Sequence, residues 1–108
     1  MAPNMSTTRY GLHGHLRAKA GQGAALGALL LEAAGLVSQA TGCRSYVVST
    51  DRDDSDAVWI TEVRDSEADH AASLQDPAVR ALIGRAMPLL DGPPQKGRVL
   101  DVLGGLGA

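Results

Sequence analysis

Three histidines, one cysteine, one tryptophan and two tyrosines carry most of the chemistry open to this chain. His70 lies one helical turn before Leu74 and about 40° from it around the axis. With Leu74 turned to a core, His70 stands at the edge of that face, at the mouth of a pocket between helix and sheet. Imidazole, with an ordinary pKa of about 6.5, takes a proton from a phenol or hydroquinone near neutral pH. The plainer alternative is a helix-edge histidine making a local hydrogen bond. Tyr46, on a neighbouring strand, offers its hydroxyl to an oxygenated ring. Leu12 and Trp59 are candidate substrate contacts beside it. Trp59 shares a strand face with Thr61 and Val63, and equally suits core packing or an interface anchor.

Other constellations carry less. His13 and His15 form a His-x-His pair on one strand face, suited to two ligands of one metal. A stable site needs a third or fourth ligand, and no spacing brings His70 or Cys43 to them, so no metal is expected. The alternative places both imidazoles at an interface. Glu62 and Arg64 share the strand face opposite Trp59 and read as a solvated or inter-subunit charge pair. Gly104-Gly-Leu-Gly follows a strand but precedes no helix, which excludes a phosphate loop. A hydrolase elbow of the Gly-x-Ser-x-Gly type is absent from the sequence.

The elements that must position these groups follow from periodicity. Residues 10–18 alternate, with Leu12, Leu16 and Ala18 on one face and His13, His15 and Arg17 on the other, which predicts a strand. After a turn at residues 20–23, Leu26, Leu29, Leu30, Ala33 and Val37 recur at helical spacing to about Thr41, and Gly42 is placed to end that helix in a left-handed conformation. Gly27 and Gly35 inside the helix suggest a close approach to the sheet. Residues 43–50 and 57–64 are strands joined by a polar hairpin loop at 51–56. Ser66, with Asp69 three residues on, starts a short helix ending near Gln75. Asp76-Pro77 restarts a helix to about Met87. A last strand spans 97–103. The order β-α-β-β-α-β, with its second helix broken in two, is the ferredoxin-like α+β arrangement with an antiparallel sheet.

A chain of 108 residues with no Phe builds one modest core from Leu, Val and Ala. Residues 9–105 are expected to be a single domain, with residues 1–8 a loose tail. A net charge of -2 and no basic stripe argue against a nucleic-acid partner. The apolar run at 24–37 is broken by Glu32 and too short to span a bilayer, so no membrane association is expected. The single Cys43 allows no disulfide within the chain, and a soluble, cytoplasmic protein fits. Val47, Val48, Val58, Trp59, Ile60, Val99, Leu100, Val102 and Leu103 put apolar groups on both sheet faces. One helical layer covers only one of them, so a second copy of the chain is the simplest cover: a homodimer with its sheets packed face to face.

The ordered set of Tyr-Gly-Leu-His-Gly at 10–14, the Gly42-Cys43 junction, the Asp-rich hairpin, Val-Trp-Ile-Thr-Glu-Val at 58–63, Ser-Glu-Ala-Asp-His-Ala-Ala-Ser-Leu at 66–74 and Pro-Ala-Val-Arg-Ala-Leu at 77–82 resembles the antibiotic biosynthesis monooxygenase (ABM) family, in particular its quinol monooxygenase-like members. The resemblance implies a dimeric α+β barrel. It also implies oxidation of a quinol or polyphenolic ring by dioxygen with no cofactor, and it strengthens the reading of His70 as the catalytic base. Many relatives carry Trp where this chain has Arg64. The haem-degrading branch relies on an Asn, that Trp and a His at positions that here hold Gly14, Arg64 and Ser73, so haem degradation is not expected. The competing reading is a non-catalytic dimeric module that binds a hydrophobic ligand in the same pocket; a cyclase or isomerase is a third.

Overall fold

A computed structural model of the chain describes residues 8–108, so the tail expected over 1–8 lies outside the described residues except for Thr8. The elements are β1 (Arg9–Arg17), α1 (Gly23–Val37), β2 (Cys43–Asp51), β3 (Asp54–Arg64), α2 (Glu67–Ser73), α3 (Pro77–Ala86), a 3-10 turn at Met87–Leu89, and β4 (Arg98–Val102). The four strands form one open antiparallel sheet in the order β2-β3-β1-β4. This is the ferredoxin-like α+β fold. No helix among the described residues is long and apolar enough to cross a membrane.

The alternation of β1 and β3 separates the two faces of the sheet. Leu16, Val48, Val58 and Ile60 turn toward the helices and pack with Leu26, Leu30, Ala86 and Leu90. His13, His15, Trp59 and Thr61 turn the other way, where pairing sets Thr61 beside Val47 and Gly11 beside Leu100. No helix among the described residues covers that second face, and Val47 and Leu100 are 51% and 43% exposed.

Local chemistry fixes most boundaries as expected. Ser66 accepts the Asp69 amide at 3.1 Å to start α2, and Asp76 accepts the Ala78 amide at 2.8 Å with Pro77 at the first turn of α3. Gly42 has φ +78°, the left-handed value anticipated for it. Three expectations are corrected. The hairpin loop is shorter than 51–56, because the Asp51 carboxylate accepts the Asp53 amide at 2.9 Å and turns the chain within two residues. α1 stops at Val37 instead of running to about Thr41, where the Ser38 hydroxyl donates to the Gly35 carbonyl at 2.7 Å and a turn takes over. The close approach expected of Gly27 and Gly35 belongs instead to Gly23. A Cβ added at Gly23 would collide with the Ser55 carbonyl, whereas nothing lies within 4 Å of one at Gly27 or Gly35. The Asp56 carboxylate seats that helix start by accepting the amides of Gly21 and Gly23 at 3.1 and 2.9 Å.

Candidate active site

The alternation that turns Val58 and Ile60 toward the helices carries two residues further at each step, to Glu62 and Arg64. Both are buried, at 6% and 1% exposure, because α2 folds back over the end of β3 immediately after Ser66. The solvated or inter-subunit charge pair expected at these positions is therefore corrected to a pair buried within the chain. Parity places the two residues opposite Trp59; the fold-back of α2, a non-local event, decides that their face is covered.

Arg64 Nη2 lies 3.0 Å from Glu62 Oε1. Its Nη1 donates to Ser73 Oγ at 3.0 Å, and Ser73 Oγ donates in turn to the His70 carbonyl at 2.8 Å. The His70 imidazole completes the group, with Nε2 3.8 Å from Glu62 Oε1. Charges taken out of water are costly unless paired, and here each has an opposite charge in contact. The match is incomplete, since neither Glu62 Oε1 nor Arg64 Nε makes a well-aligned hydrogen bond among the described residues.

These groups border a cavity of about 220 Å³ between the sheet and the helices, whose remaining walls are largely apolar, Leu30, Val79, Leu82 and Leu90 among them. Tyr46 also lines it, directly across the β2–β3 pairing from Glu62. Burial, reinforced by the Glu62 charge, pushes the Tyr46 hydroxyl up to about 12, so it remains a proton-bearing donor at neutral pH. Tyr10 sets its ring 5.3 Å from the His70 ring; burial first, then Glu67 and Glu62, raise its hydroxyl as well. A second cavity of about 310 Å³ shares Leu16, Glu62, Leu74 and Pro94 with the first, so Glu62 borders both.

The four residues singled out from sequence fall in three places. His70 and Tyr46 come together in the first cavity, and Leu12 lines the second. Trp59 is not brought to either. It sits on the opposite sheet face between His13 and His15, with ring centroids 5.2 and 4.7 Å away. The strand register decides this, pairing Trp59 with His15 and Ser49, whereas Glu62 pairs with Leu12 and Tyr46. His13 Nδ1 is engaged with Thr61 Oγ1 at 2.8 Å, and no set of three or more metal-ligating side chains gathers among the described residues. Glu62, Arg64 and Ser73 are the members of the cluster that sequence reasoning missed as site residues. The available signal was two charges continuing an inward-facing apolar row just before a capped helix. At the positions compared with the haem-degrading branch, Arg64 and Ser73 bond each other, and a Cβ on Gly14 would stand 2.8 Å from the Gly97 Cα.

Fold and site together define a ferredoxin-like domain with a mainly apolar pocket, one imidazole and a buried carboxylate–guanidinium pair. The chain belongs to the antibiotic biosynthesis monooxygenase family, whose model matches residues 9–85. It is similar to a candidate antibiotic biosynthesis monooxygenase from Chloroflexus aurantiacus J-10-fl, at 44% identity and TM-score 0.80, covering 90% of this chain and 95% of that one. A candidate member from Deinococcus radiodurans shares 28% identity at TM-score 0.71, covering 89% and 92%. A protein of unknown function from Nitrosomonas europaea shares 26% identity at TM-score 0.76, covering 93% and 94%. Among proteins of curated function, none matches.

Proposed function

We propose that this protein is a cofactor-independent monooxygenase that oxidises a hydroquinone or polyphenolic ring with dioxygen. The observation that carries the reading is the His70 imidazole 3.8 Å from the Glu62 carboxylate at a largely apolar cavity. Membership of a monooxygenase family supports the reaction class; the choice of ring rests on the chemistry of the pocket.

A neutral hydroquinone enters the cavity and gives a phenolic proton to His70. The carboxylate of Glu62 stabilises the imidazolium so formed, and Tyr46, still protonated, donates a hydrogen bond to a ring oxygen. The phenolate supplies the electrons. One atom of dioxygen bonds to a ring carbon, which loses its hydrogen, and the other leaves as water. For a simple hydroquinone the products are a hydroxyquinone and water, which balances with no external reductant. Apolar walls keep bulk water from the anion.

The same proposal includes a homodimer. The outward sheet face carries Trp59, Val47 and Leu100, and covering it requires a second sheet. Leaving roughly 400 Å² of such surface in water costs about 10 kcal/mol, comparable to the stability of a whole small domain. Sedimentation equilibrium at micromolar concentration is expected to give a dimer; a well-folded monomer there would remove this part of the proposal.

The test of the reaction is incubation of metal-free protein with a hydroquinone panel under 18O-labelled dioxygen. One labelled atom per product, formed faster than the spontaneous reaction, is expected. No enzyme-dependent uptake across the panel overturns the proposal, and ligand-induced melting shifts without turnover would then indicate a binding module.

A further inference from the structure

The helix that carries His70 is not docked the way the other helices are. α1 buries Leu26, Leu30, Ala33 and Val37, and α3 buries Val79, Leu82 and Ala86. α2 has seven residues, and its one buried residue is Ser73. A helix this short does not hold itself in water, and α2 has no buried apolar side chain to hold it to the sheet. What meets Ser73 is Arg64, at 3.0 Å, and Ser73 reaches back to the His70 carbonyl. The other end of the same guanidinium meets Glu62 Oε1, the atom that His70 Nε2 faces. Glu62, Arg64, Ser73 and His70 thus close a ring in which Arg64 touches both the strand and helix sides.

We propose that Arg64 is the positioning residue of this site: one guanidinium nitrogen holds the Glu62 carboxylate, the other holds α2 through Ser73, and together they set where the His70 imidazole stands. The inference rests on the reading of His70 as the base, and it deepens that reading by naming what fixes the base. Arginine suits the task because its planar fork presents donors in two fixed directions at once. A lysine ammonium, a single point donor, reaches the carboxylate or the serine without bracing one against the other. Arg64 touches no reacting atom in this scheme; its effect passes through Glu62 and Ser73.

Ser73→Ala cuts the link to α2 while leaving the buried ion pair intact, and Arg64→Lys keeps the charge but not the fork. Both are compared with wild type by mass-spectrometric timing of histidine carbethoxylation with diethyl pyrocarbonate. Folding is checked by circular dichroism, and His13 and His15 are internal references on the far sheet face. Loss of one net hydrogen bond shifts a local opening equilibrium by about fivefold, so His70 is expected to react about fivefold faster in both variants while His13 and His15 keep their wild-type rates. With an active hydroquinone, kcat of Ser73→Ala is expected to fall about tenfold with KM changed less than about twofold. An unchanged His70 rate in folded Ser73→Ala, or equal acceleration at all three histidines, overturns the proposal. The modification assay uses no substrate, so it decides the positioning role even where no hydroquinone is turned over, an outcome that would count against the monooxygenase reading alone.

Discussion

The helix-facing side of β3 is made of two unlike halves. Val58 and Ile60 meet Leu26, Leu30 and the rest of the apolar core, whereas Glu62 and Arg64, continuing the same alternation, meet α2 through Ser73 and His70. The first half gains stability from area removed from water, about 1.5–3 kcal/mol for a fully buried valine-sized or larger side chain. The second half buries charge, which returns little net stability and is strongly destabilising when one partner is lost. One strand thus anchors the domain at one end and holds a pre-formed polar site at the other, and the two ends respond differently to substitution.

The largest stability effect is expected from unbalancing the polar half. Arg64→Met leaves the Glu62 carboxylate buried without its partner and should cost about 3–5 kcal/mol in urea unfolding. Replacing both residues by methionine should recover most of that loss while leaving the site inactive, a non-additivity that an apolar pair would not show. In the apolar half, Leu26→Ala removes a side chain with 0% exposure and should cost about 2–5 kcal/mol, with no recovery by any second charge change. Equal behaviour of the two halves in these cycles would erase the distinction.

Helix caps give a smaller effect that sharpens the comparison. Ser66→Ala and Asp76→Ala each remove one amide acceptor, from α2 and α3 respectively, at about 1 kcal/mol apiece. Stability should fall similarly in both, but kcat should fall in Ser66→Ala alone, since only α2 carries His70.

The last effect is alkaline. Burial raises the Tyr46 hydroxyl from 10.0 to about 12. Between those values the unfolded chain releases a proton that the folded chain keeps, so stability contributed below pH 10 is lost as pH rises toward 12. Thermal melts across that window should fall less steeply for Tyr46→Phe than for wild type; parallel slopes would contradict the assignment.

Much of the architecture is readable from residues alone, because periods of two and near four, with caps at Ser66 and Asp76-Pro77, are local signals. The pairing of His70 with Tyr46 in one pocket is readable through the same periods combined with the family resemblance. What escapes is non-local. Charge at Glu62 and Arg64 reads as solvated face, and only the return of α2 over the strand end buries it. The side of the sheet on which Trp59 ends up relative to the pocket depends on register, which pairs it with His15 and Ser49. Likewise, Gly23 is needed because the β2–β3 hairpin crosses the start of α1, a contact that no sequence window contains.

The most direct test of the central claim is oxygen uptake by His70→Ala beside wild type, both shown to be folded, on whichever hydroquinone the wild-type protein turns over fastest. Loss of a general base is expected to lower kcat by about 10²–10⁴-fold. A variant that consumes oxygen at the wild-type rate would contradict the assignment of His70 as the base.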